Sequence, residues 1–204
     1  MNIELFTAFV LITMVLIVTP GPIVTLVIST GVAQGSRAAL TTVAGTTLGN
    51  ALLLSAIALG LDWVHTHTSL LFEALRWTGA AYLVWLGVQA WRHAGEGGGG
   101  LVETGRRQFV RGLFVALSNP KTIVFFTAFL PQFVDPHLPA GPQLAAMCAV
   151  SVCLAGVSDC AWALASGFGR AWFMKPARAK LLGRLSGTVL IGGGLWLSLA
   201  RRPS

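Results

Sequence analysis

Residues 3–28 read IELFTAFVLITMVLIVTPGPIVTLVI. The run is longer than the roughly 20 apolar residues a helix needs to cross a hydrocarbon core. Backbone groups in lipid must be satisfied internally, so a run of this kind is helical. It is interrupted once, at Thr19-Pro20-Gly21-Pro22. A proline inside a helix removes a hydrogen bond and clashes with the preceding turn. Two prolines flanking a glycine should stop the helix and not merely bend it. Pro22 then suits the first position of a new helix. The stretch therefore reads as a membrane helix broken near its middle.

The rest of the chain agrees. Of 204 residues, 54% are hydrophobic and 10% charged, with a mean hydropathy of +0.74. A soluble domain carries about 25% charged residues because water must wet its surface. This composition excludes a soluble enzyme, a disordered chain and a secreted disulfide scaffold. Five further apolar segments follow the first: Ala38 to Leu61, Leu70 to Trp91, Gly112 to Phe133, Gln143 to Phe168 and Leu181 to Ala200. None alternates at period two, the mark of a barrel strand. The expected fold is all-α and polytopic, with six transmembrane helices in two inverted three-helix repeats and breaks in spans one and four. One domain would fill residues 1–204, with repeat one at about 1–92, a linker at about 93–111 and repeat two at about 112–204. The opening MNIELF lacks a basic region and a small-residue cleavage site, so it reads as the start of a retained helix.

The net charge is +7, from 14 Lys and Arg against 7 Asp and Glu. In a membrane protein such an excess collects in cytoplasmic loops, so nucleic-acid binding is not expected. Arg37 lies between spans one and two; Arg92, Arg106, Arg107 and Arg111 lie between three and four. Arg170, Lys175, Arg178, Lys180 and Arg184 lie between five and six. Only Arg76, Arg201 and Arg202 fall on the other side. The balance places these odd-numbered loops in the cytoplasm and both termini outside.

The halves resemble each other. Arg76-Trp77-Thr78-Gly79 opens span three as Arg184-Leu185-Ser186-Gly187 opens span six, and Ser118-Asn119-Pro120-Lys121 breaks span four as the proline pair breaks span one. A tandem duplication of three spans inserts its second copy upside down, a frequent basis of secondary transporters. Asn119 is a good N-cap before Pro120. Both breaks should end in exposed backbone N–H groups at the positive end of a helix dipole, where a carboxylate fits. Candidate substrate-binding residues are Pro20, Gly21, Pro22, Asn50, Asn119, Pro120, Lys121 and Asp159.

Asp159 is the only acidic residue in the interior of a span, as a partner for a substrate ammonium, a proton carrier or half of a structural pair with Lys121. Lys121 either supplies charge to the site or snorkels to the interface. Thr42, Thr46 and Asn50 follow helical spacing beside Gly45 and Gly49, forming either a packing seam or a wall of the substrate path. His65, His67, His93 and His137 fall in loops or at span ends, so no metal or other cofactor is expected. Cys148, Cys153 and Cys160 share one segment without a CxxC pair.

Several of these motifs resemble the LysE/RhtB family of bacterial amino-acid exporters. They are Thr19-Pro20-Gly21-Pro22 with Gly35, Gly45 and Gly49; Gly79-Ala80-Ala81-Tyr82-Leu83 with Gly87; and Arg111-Gly112, Asn119-Pro120-Lys121 and Phe129-Leu130-Pro131-Gln132-Phe133. Asp159 with Trp162, and Ser186-Gly187, are similar to its fifth and sixth spans. One departure is Ile23, where many members have Asp or Asn after the PGP. It points to a less polar substrate side chain. The resemblance implies proton-driven export of amino acids or their derivatives across the bacterial inner membrane, without catalysis. Its expected partners are an amino-acid-like small molecule, protons and the lipid bilayer, with a homodimer as the assembly considered. A six-span thiol oxidoreductase would need reachable cysteines in both halves. A metal-cation exporter would need several intramembrane carboxylates or histidines.

Overall fold

The computed structural model describes residues 2–67, 69–92, 104–169 and 175–199. Its elements are α1 (Ile3–Val18), α2 (Pro22–Gln34), α3 (Ser36–His67), α4 (Ser69–Arg92), α5 (Gly105–Leu117) and α6 (Pro120–Phe129). A 3-10 turn (Leu130–Phe133), α7 (Ala140–Phe168) and α8 (Pro176–Leu199) complete the order. His93 with the first part of the expected linker, residues 93–103, and Arg170 and Arg201–Arg202 from the charge balance lie outside the described residues.

Helices cover all six expected segments, but not equally. Ser36–Gly60, Gly105–Phe133 and Ala140–Phe168 are each long and apolar enough to cross a membrane. The pair α1 and α2 makes a fourth span only when taken together, bent by 43°. Within α4 and α8 the described residues contribute the shorter apolar stretches Ala80–Gln89 and Gly187–Trp196.

Each break takes the form its residues dictate. Helix α1 starts under an Asn2 cap that accepts from Glu4 N at 2.9 Å, and it ends at Val18 before the first proline. Helix α2 opens with Gly21 as cap and Pro22 in its first turn. It closes at Gly35, whose φ of +88° lies where a side chain is strained.

Lipid tails are as apolar as leucine, so helices in a membrane associate through close packing and not through exclusion of water. The glycines show it. A Cβ on Gly45 would meet Phe109 O, and one on Gly49 would lie 2.6 Å from Leu113 O, so α3 presses directly onto α5. Helices α4 and α8 cross at Gly87 and Gly187, each of which would drive a Cβ into the other's carbonyl. The core between α1, α6 and the 3-10 turn is aromatic: Phe9 packs edge-on against Phe126 and Phe133, and Phe129 stacks on Trp196. Large apolar side chains such as Leu11, Val157 and Leu199 point outward, as a lipid-facing surface requires.

Candidate functional site

The two breaks come together. Five of the eight candidate residues, Gly21, Asn50, Asn119, Lys121 and Asp159, line one cavity of about 50 Å³. Only a few water molecules would fill such a volume, so an amino acid must widen it. Pro20, Pro22 and Pro120 do not line it; they shape the chain on either side.

Two antiparallel polar stripes form the far wall. On α7, Ser151, Ala155 and Asp159 recur every four residues and so share one face. On α3, Asn50 and Leu54 face the cavity, and Thr46 one turn away donates to Asp159 Oδ2 at 3.3 Å. Thr46 has one hydroxyl proton and a nearer acceptor, Val43 O at 3.0 Å. The bond to Asp159 is therefore shared and weak, which leaves the carboxylate able to take another donor. Asn50 is 5% exposed, and its Oδ1 has no hydrogen-bond partner. A buried acceptor left unpaired costs about 1–3 kcal/mol. On this face of α3, Gly45 and Gly49 form a seam with α5, while Asn50 lines the cavity and Thr46 reaches Asp159.

Lys121 does not snorkel. It is 7% exposed, and Nζ donates to Leu16 O at 2.8 Å and Thr19 O at 2.6 Å. These carbonyls belong to the last turn of α1 and its cap, the negative end of that helix. A cation from the second break thus caps the helix that ends at the first. Gly21 leaves room for its stem: a Cβ there would stand 3.0 Å from Lys121 Cδ.

The expectation of two open helix ends needs correcting. The Asn119 side chain accepts from Lys121 N at 3.2 Å and donates to Thr122 Oγ1 at 2.8 Å, so α6 is capped by its own residue. At α2, Gly21 supplies no side-chain cap. Pro22 has no N–H, and Thr25 N already donates to Gly21 O at 2.8 Å. That leaves the amides of Ile23 and Val24, both cavity-lining residues, without a partner in their own helix. Ser151 and Thr122 were not among the candidates. Ser151 had a signal, eight residues before Asp159 on the same helical face, whereas Thr122 is an ordinary first-turn residue.

A family model described as LysE type translocator matches residues 14–200. The chain belongs to this family. Among curated relatives of this translocator, a homoserine/homoserine lactone efflux protein of Salmonella typhimurium is 32% identical over 204 residues, covering 98% of this chain and 99% of the relative. A leucine efflux protein of Klebsiella pneumoniae is 30% identical over 186 residues, covering 87% and 86%. An uncharacterized membrane protein of Vibrio cholerae is 30% identical over 205 residues, covering 98% and 100%. No solved structure matches the chain.

Among the described residues no three His, Cys, Asp or Glu side chains gather as a metal site. Cys148 is buried and Cys153 exposed, both free thiols on α7.

Proposed function

We infer that this translocator exports amino acids or close derivatives across the bacterial inner membrane, exchanging them for protons. One observation carries the reading. A single cavity holds an uncapped helix N-terminus at Ile23 and Val24, and facing it an Asp159 carboxylate and an unpaired Asn50 oxygen. The first end attracts a carboxylate or carbonyl oxygen, the second an ammonium. Homoserine, its lactone and leucine, named in the relatives, all carry an α-ammonium beside a carbonyl carbon.

In this mechanism the substrate oxygens accept from Ile23 N and Val24 N, with the α2 dipole behind them. The ammonium donates to Asp159 and to Asn50 Oδ1. Proton and ammonium compete for one carboxylate, so arrival of substrate expels the proton and return of a proton releases substrate. Lys121 holds the end of α1 and keeps positive charge beside the anion seat. Six spans in two inverted repeats, with both termini outside, would let the halves rock about the site. The reciprocal Gly87–Gly187 crossing supports such a two-fold arrangement. So does the equal separation, 100 residues, of Gly87 from Gly187 and of Pro20 from Pro120.

The test is counterflow in proteoliposomes preloaded with a panel of amino acids. Exchange is expected for neutral amino acids, with Asp159→Asn abolishing gradient-driven export while the protein still reaches the membrane. A fixed Asp159–Lys121 pair predicts instead that Asp159→Asn lowers abundance and that adding Lys121→Gln restores both abundance and transport. Full activity in Asp159→Asn with unchanged pH dependence removes the residue from the mechanism.

A further inference from the structure

Beyond Leu16 lies a second space, about 360 Å³, between α1, α4, α6 and α8. Its lining is wholly apolar, including Val15, Leu83, Phe125, Phe129 and Trp196. Leu16 is the residue common to this groove and the polar cavity. Its carbonyl is held by Lys121, so its side chain forms the partition between the two.

The α8 side of the groove is Gly192-Gly193. Their neighbour Gly194 has a packing reason, since a Cβ there would stand 2.7 Å from Ala80 O. Gly192 has none: a Cβ would meet nothing within 4 Å, and one on Gly193 would touch only Phe129 Cζ at 4.0 Å. Glycine is a poor helix former, and here it brings no helix closer. Its effect at these two positions is to keep the groove empty of side chains.

We propose that the groove is a subsite for the tail of an amphipathic substrate: an amino acid bearing a flexible hydrocarbon chain longer than any coded side chain. This rests on the exporter reading above. The head takes the polar cavity, which at about 50 Å³ has no room for a tail, and the chain passes Leu16 into the groove. Leu11 and Val15 on its rim are 60% and 56% exposed, so the groove opens sideways to lipid. A substrate already partitioned into the bilayer can slide in from there.

The experiment measures how 2-aminobutanoate, 2-aminooctanoate and 2-aminododecanoate compete for 2-aminobutanoate exchange in proteoliposomes of the whole protein. In the wild type, apparent affinity rises by up to about fourfold per methylene until the groove is full. Gly192→Leu with Gly193→Leu fills the groove. It should weaken 2-aminododecanoate at least tenfold while leaving 2-aminobutanoate unchanged, and the double alanine variant should fall between. An equal rise with chain length in wild type and both variants overturns the proposal and assigns the groove to bilayer lipid. Equal losses for short and long substrates overturn it too, by making the glycines packing residues. If 2-aminobutanoate exchanges but chain length has no effect, this inference falls alone. If the wild type exchanges none of the three, the amino-acid reading falls with it.

Discussion

The two helix breaks look alike in sequence and behave differently in space. At the second, Asn119 Oδ1 caps α6 by accepting from Lys121 N, and Ser118 Oγ donates back to Phe114 O at 2.7 Å. At the first, Thr19 Oγ1 and Thr19 N likewise donate back to Val15 O, but the helix that follows has no side-chain cap. The carbonyls of α1 are held by Lys121, more than 100 residues away, and the amides of Ile23 and Val24 have no cap. One break is a self-contained joint that exports a cation; the other is an open joint that depends on it. An open joint can take its missing partners from a ligand, which is why the proposed anion seat lies at the first break.

The harshest way to break this contrast is Lys121→Met, which keeps the stem and removes the ammonium. Leu16 O and Thr19 O lose hydrogen bonds to a charged group, worth about 1.5–3 kcal/mol each, and Asp159 loses its neighbouring cation. A loss of about 3 kcal/mol or more is expected, read as a lower melting temperature in detergent, together with loss of exchange. Unchanged melting would mean that the first break is held by something other than the lysine.

A smaller effect sharpens the comparison by making the first break resemble the second. Gly21→Asn supplies α2 with the side-chain cap that Asn119 gives α6, occupying the seat for substrate oxygens. Substrate affinity should fall about tenfold, or about 1.4 kcal/mol. Gly21→Ala is the control, since it crowds Lys121 equally but cannot cap. If both variants weaken binding alike, crowding and not the open amides explains the loss.

The gentlest variant is Asn119→Ala. Loss of an N-cap costs about 1 kcal/mol, and the α6 amides would then open toward the cavity. Melting should drop slightly while affinity for substrate oxygens holds or rises. A collapse of transport with unchanged melting would place Asn119 on the substrate itself.

Much of this was legible along the chain. Proline lacks an amide proton wherever it sits, so Pro20-Gly21-Pro22 and Asn119-Pro120 announce their breaks without reference to any other residue. Asp159 likewise marks itself, because a carboxylate within an apolar span needs a cavity or a partner. All six expected segments are helical, and among the described residues three helices, or four with the bent pair α1 and α2, are long and apolar enough to cross a membrane.

Sequence alone therefore determined the helices, the places where they stop and the polar residues that had to be gathered, since backbone hydrogen bonding and side-chain polarity act within one or two turns. The tertiary structure decided what those residues do to one another. It gave Lys121 to the end of α1, closed α6 and left α2 open, and left Asn50 Oδ1 unpaired beside Asp159. It also separated Gly194, pressed against α4, from Gly192, which faces empty space one turn's fraction away. The physical reason is the same in each case: these outcomes depend on which helix lies opposite, and a contact between residues 100 positions apart leaves no mark on the sequence around either one.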